Sequence, residues 1–185
     1  MATGPSPIGG STPPVDDTRR KIEELIEAEE GAANRLGGRL GTAVTAMAVG
    51  VSLFHLYAAY EIVPAYVMRP VHVFAVMFLA FLLFPVARRF RDRVMWWDWL
   101  LAAGTVGVIG YILWQGDTFG DRAVMAERAD VIVGVVFIVL LLEATRRTTG
   151  MIMPGVAITF ILYALLGHLL PAPWTHRGYA LEDLV

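Results

Sequence analysis

Apolar positions fall into five blocks, Leu40–Tyr60, Pro70–Val86, Trp96–Trp114, Val131–Leu142 and Met151–Leu170, with short loops between them that hold most of the arginines. A bilayer hydrocarbon core is ~30 Å thick and a helix rises ~1.5 Å per residue, so a crossing takes roughly 20 mainly apolar residues. The blocks are apolar all round rather than along one stripe, so lipid or other helices must surround them. The pattern predicts an all-α integral membrane protein, a helical bundle of four to five transmembrane helices.

The fourth block is the shortest. Only twelve uncharged residues separate Asp130 from Glu143, ~18 Å of helix. Extending it over Ala129–Arg147 restores the length if the charges at its ends snorkel to the headgroups.

Ahead of the first block, residues 1–15 are rich in Gly, Pro, Ser and Thr and are expected to be a disordered tail. Asp16 to Glu30 reads as a highly charged helix, with Asp16, Asp17 or Thr18 as cap and Ile22, Leu25 and Ile26 in a narrow stripe. Its glutamates argue against binding to anionic lipid. The resulting organisation is a tail (1–15), a charged cytoplasmic helix and linker (16–38), a four-helix membrane scaffold module (39–147), and a fifth helix with a connector (148–185).

Basic residues set the orientation. With a cytoplasmic N-terminus and all five blocks crossing, Arg19, Arg20, Lys21, Arg35, Arg39, Arg88, Arg89, Arg91, Arg93, Arg146 and Arg147 lie inside, and Arg69, Arg122, Arg128 and Arg177 outside. N-terminus in, C-terminus out follows. Trp96, Trp97 and Trp99 open the third block and Trp114 closes it, as interfacial aromatic belts require.

Composition agrees: 56% of the 185 residues are hydrophobic and only 17% charged, against about 25% in soluble domains. The net charge of −2 carries no information about partners, because the charges are segregated. The chain has no cysteine, which excludes disulfides, thiolate catalysis and Cys-ligated metals. The late first apolar run, without a small-residue cleavage site, does not fit a secretory signal.

Candidate chemistry is sparse. Gly41, Thr45, Ala48, Ser52, His55 and Ala59 recur at alternating steps of four and three, which places them on one small-residue stripe suited to close helix packing. Ala103, Gly107 and Gly110 suggest a similar face on the third block. His55 is the one bulky polar member of its stripe, and either a proton relay or a plain interhelical hydrogen bond suits it. Asp98 falls in the first turn of its helix, where the dipole favours a carboxylate. Glu143 precedes Arg146 and Arg147 by three and four residues, so this cytoplasmic charge cluster can pair on one helix face and either anchor the helix at the interface or lock a neighbouring element. Pro64, Pro70, Pro154 and Pro171 read as punctuation at loops or helix starts. No P-loop, H-E-x-x-H, G-x-S-x-G or dinucleotide fingerprint occurs, and the four histidines lack metal-ligand spacing. No catalytic residue, cofactor, metal or nucleic-acid partner is expected, and the chain reads as a non-enzymatic scaffold of packed helices.

Three stretches resemble the N-terminal part of the fused permeases of TRAP (tripartite ATP-independent periplasmic) transporters, of the TAXI type. They are Val51-Ser-Leu-Phe-His-Leu-Tyr-Ala-Ala-Tyr60 with Pro64 and Arg69-Pro-Val-His72; Trp97-Asp-Trp-Leu-Leu101; and Asp130 through Leu141-Leu-Glu-Ala-Thr-Arg-Arg147, with Gly150, Pro154, Tyr163-Ala-Leu-Leu-Gly167, Pro171 and His176-Arg-Gly-Tyr179. The resemblance covers roughly residues 30–185, and Leu-Glu-Ala-Thr-Arg-Arg is its most specific string. It implies a multi-pass protein of the bacterial inner membrane that takes part in symport of carboxylate-like solutes on an ion gradient, usually sodium. The partners implied are a large permease module, fused or separate, and a periplasmic substrate-binding protein. The first four blocks would form the static small module and the fifth the connector towards the large module, which holds the solute and ion sites. That module would come from a continuation of this chain or from a second gene. Two other classes compete: a membrane-anchoring or assembly protein without a transport role, and a small membrane enzyme or proton carrier centred on His55 and Glu143.

Overall fold

The computed structural model describes residues 15–30, 34, 36–87, 90, 93–122 and 125–184. The tail expected over 1–15 lies outside them up to residue 14. The described residues form helices α1 (Val15–Glu30), α2 (Gly38–Tyr60), α3 (Ala65–Leu83), α4 (Trp96–Gln115), the single turn α5 (Thr118–Asp121), α6 (Arg128–Thr149) and α7 (Ile152–Leu166), with 3-10 turns at Gly167–Leu169 and Leu181–Asp183. There is no strand among them. Four helices are long and apolar enough to cross a membrane: α2, α3, α4, and α7 with its following turn. The protein is thus an all-helical bundle with the make-up of a multi-pass membrane protein.

Breaks fall where backbone chemistry demands them. Phe84 is extended because Pro85 follows it, which ends α3. Gly116 and Gly150 close α4 and α6 with φ of +59° and +78°, a region unfavourable to other residues. α1 starts at Val15, so Asp16 and Asp17 occupy its first turn rather than its cap, where the dipole still favours them. Pro70 lies inside α3 rather than at its start, because the helix begins at Ala65, one residue after Pro64.

The core is built where α3, α4 and α6 meet. Met77, Ala80 and Phe81 of α3 pack with Ala102 and Val108 of α4 and with Leu140 and Ala144 of α6. α2 lies against α3, and α7 against α6. These outer helices are thinly covered: 6% of the apolar window of α2 and 11% of that of α7 is buried, against 28% for α3 and α4. α6 has 22 residues, ~33 Å of helix, but its acidic and basic residues keep it out of the apolar set. It nevertheless runs back along α4 from end to end, as the contacts below require.

Candidate functional site: a charged clasp at each end of α4 and α6

α4 and α6 begin in the same way. In each, an aspartate in the first turn reaches back to the backbone N–H that precedes the helix: Met95 N–H donates to Asp98 Oδ2 (2.8 Å) and Glu127 N–H to Asp130 Oδ2 (3.0 Å). One orphan N–H is satisfied each time, and the carboxylate sits at the positive end of the dipole. Each aspartate then spends its second oxygen on the far end of the other helix.

At one end Asp98 Oδ1 accepts from Arg147 Nη1 at 2.6 Å. Asp98 is 1% exposed and the Arg147 side chain 0%. Glu143 completes the group: its Oε1 accepts from Arg147 Nε (2.8 Å) and its two oxygens accept from Arg146 Nε and Nη2 (2.7 and 2.8 Å). Two carboxylates and two guanidinium groups balance, so the cluster is formally neutral. The fork of Arg147 is what lets one side chain bridge Glu143 on its own helix and Asp98 on the next.

The same cluster finishes α3. The last carbonyls of a helix have no partner within it. Arg147 Nη1 donates to Phe84 O at 3.1 Å, and its guanidinium lies 5.3 Å from the centre of the Phe81 ring. Arg146 Nη2 approaches Val86 O at 3.5 Å. Asn34 supplies the rest, with its backbone N–H donating to Leu83 O and its side-chain amide to Leu82 O (3.0 Å). Three chain segments therefore converge on one helix end.

At the opposite end Asp130 Oδ1 accepts from the Tyr111 hydroxyl (2.7 Å) and from Arg122 Nη2 (3.2 Å). Gln115 Nε2 donates to the Tyr111 oxygen (3.1 Å), and Arg122 also pairs with Glu127 at 3.0 Å. This second clasp is wetter, with Arg122 25% and Glu127 65% exposed.

The histidines form two separate structures. His55 Nδ1 lies 2.7 Å from Val51 O and its Nε2 lies 2.8 Å from His72 Nδ1. A carbonyl only accepts, so His55 carries its proton on Nδ1 and, in the neutral pair, His72 Nδ1–H donates to His55 Nε2. The pair ties α2 to α3. His176, in the segment after α7, donates from Nε2 to Tyr163 O (2.9 Å) and accepts at Nδ1 from Gly178 N–H (3.0 Å). Its own N–H donates to Gly167 O, and Tyr179 N–H donates to Ala164 O. The segment is thus folded back as a cap on α7.

The residues singled out from the sequence are distributed as follows. Glu143, Arg146 and Arg147 come together, with Asp98 as the partner that sequence reasoning did not connect to them. Gly41, Ala48 and His55 of the stripe are half-buried, whereas Thr45, Ser52 and Ala59 are exposed. The face that α2 turns inward is rotated slightly and centres on Val44. Ala103, Gly107 and Gly110 are all exposed among the described residues, and α4 buries Asp98, Ala102, Thr105, Val108 and Ile109 instead. His72 was missed as the partner of His55. No group of three or more metal-ligating side chains occurs among the described residues.

Compared with family models, curated proteins and solved structures, the chain gives no match.

Proposed function

We propose that the chain is the scaffold component of a TRAP-type secondary transporter of the bacterial inner membrane. In that role it is not an enzyme. It holds a large permease module, fused or separate, that moves carboxylate-like solutes delivered by a periplasmic binding protein on an ion gradient. The observation that carries this reading is the reciprocal clasp. The Leu-Glu-Ala-Thr-Arg-Arg string that bears the resemblance supplies Glu143, Arg146 and Arg147, the side chains that tie α6 to α4 and to the end of α3. A helix pair fastened at both ends suits a static support rather than a moving carrier. The thin burial of α2 and α7 leaves two apolar helices for lipid or a larger membrane partner to cover.

The test is co-purification and uptake. A tagged full-length chain is expected to bring down a large multi-pass membrane protein, and deletion of its gene to abolish solute uptake by that partner. Uptake that continues undiminished without the chain overturns the proposal. Recovery of a soluble cytoplasmic protein through residues 16–34 instead would favour the anchoring or assembly role.

A further inference from the structure

After α7 the chain turns back, and residues 171–184 form a strap over the helix end that reaches the start of α6. Glu182 of the strap shares a cleft of about 310 Å³ with Ala126, Arg128, Val131 and Ile132. The last carbonyls of a helix have no partner within it, and the strap supplies their donors. Tyr179 N–H donates to Ala164 O (2.9 Å), His176 N–H to Gly167 O (3.2 Å) and His176 Nε2–H to Tyr163 O (2.9 Å). The Tyr163 hydroxyl donates in return to Trp174 O at 3.0 Å. His176 is the hub of this set. Its ring fills the space where a side chain on residue 167 would begin, with the Tyr163 and Tyr179 rings beside it at 4.8 and 5.9 Å between centres.

The arrangement admits one protonation state. Tyr163 O only accepts, so Nε2 carries a hydrogen. Gly178 N–H only donates, at 3.0 Å, so Nδ1 is bare. A ring with both protons sets one N–H against another. No neighbour compensates the added charge. The titratable and charged groups around the ring are Tyr163 and His168 from α7 and its turn, and Arg177 and Tyr179 from the strap, and none is a carboxylate. Asp183 is engaged by Ala180 N–H, and Asp130 of α6 by Tyr111 and Arg122. The dipole of α7 favours a cation at this end, but water screens that attraction, whereas two opposed N–H groups are in direct contact. His176 also lies beyond the apolar span, which ends at Leu169, so protons from solution reach it. We propose that the strap is an acid-released latch: it folds onto α7 while His176 is neutral, and it lets go and uncovers the start of α6 when the imidazole takes a second proton. An imidazole changes charge between about pH 5 and 8, so the latch is closed at the alkaline end and opens as pH falls. It stands on the strap alone and does not depend on the transport role.

The chain has no cysteine, so two introduced ones can report on the strap. Ile152→Cys and Ala180→Cys, both at exposed positions, carry spin labels in the full-length chain in nanodiscs, and the label-to-label distance is read by pulsed electron paramagnetic resonance. With the strap closed, residue 180 lies beside Ala164, roughly 18 Å along α7 from residue 152, and the distribution is narrow. On going from about pH 8 to about pH 5, roughly half or more of the narrow population should become broad. His168→Gln should keep this response. His176→Gln, whose amide offers a donor and an acceptor but takes no proton, should stay narrow in acid. A distribution unchanged by pH in the labelled chain with both histidines overturns the proposal and needs no further variant. So does loss of the response in His168→Gln, which would make that ring the sensor, or an acid response that survives in His176→Gln.

Discussion

Asp98 and Arg147, 49 residues apart in sequence, meet at 2.6 Å in a place with almost no solvent access, and Arg147 carries Glu143 on its other face. The first turn of α4 is thereby bound to the last turn of α6. A buried ion pair is weak evidence for net stability, because desolvation offsets its attraction. Its physical consequence is register: any sliding of α4 along α6 leaves a charge unpaired inside the bundle.

Arg147→Met should lower the unfolding free energy by about 3–5 kcal/mol, since Asp98 then stays buried without its cation, while Glu143 keeps its pair with Arg146. Thermal unfolding in detergent measures this. Arg147→Lys should rescue little, because a single ammonium cannot span Glu143, Asp98 and the Phe84 carbonyl together.

The clasp at the other end should be weaker. Tyr111→Phe removes one hydrogen bond to a carboxylate, a loss of about 1.5–3 kcal/mol. It lies at the opposite end of α4 from Asp98 and shares no partner with it. In the Tyr111→Phe, Arg147→Met double variant the losses should therefore add to within about 0.5 kcal/mol. A larger deviation would mean that the two ends respond to each other.

Asn34→Ala should cost about 1–3 kcal/mol, because Leu82 O at the end of α3 loses its donor in a buried setting. Asn34→Asp should not restore it, since a carboxylate cannot donate to a carbonyl. Unfolding curves of the three proteins compare them directly.

Gly167→Ala should be strongly destabilising for its size. A Cβ there would fall 1.8 Å from His176 Nε2, so the ring that caps Tyr163 O must leave. His176→Ala alone loses the cap but makes no clash. The Gly167→Ala, His176→Ala double variant should therefore melt higher than Gly167→Ala, a reversal that simple additivity does not produce.

The helices were legible because apolar runs and Gly or Pro breaks are local signals, read without tertiary information. Extension of the fourth block beyond Val131–Leu142 was legible too, from the length a helix needs. Pairings were harder. Asp98 and Arg147 lie on the same side of the arginine-derived map and at similar depth, so matching opposite charges by depth would have joined them. His55 and His72 flank one loop at the opposite level, and the same matching would have found them. The buried faces of α2 and α4 were not legible from small residues alone. Thr45, Ser52 and Ala59 of α2 follow the helical spacing but are exposed while Val44 is buried, and on α4 Ala103, Gly107 and Gly110 are exposed while the larger Val108 and Ile109 fill the inner side. Small residues mark where backbones can approach, not which neighbour approaches them.

The most direct test of the clasp is a double-mutant cycle on Asp98→Asn and Arg147→Met, read as unfolding free energies in detergent. Each single variant strands a buried group, and the double variant removes both charges together. The loss in the double variant should fall short of the sum of the singles by at least about 1 kcal/mol, within the range of directly coupled residues. Losses that simply add would show that Asp98 and Arg147 do not hold α4 to α6, and would contradict the central claim.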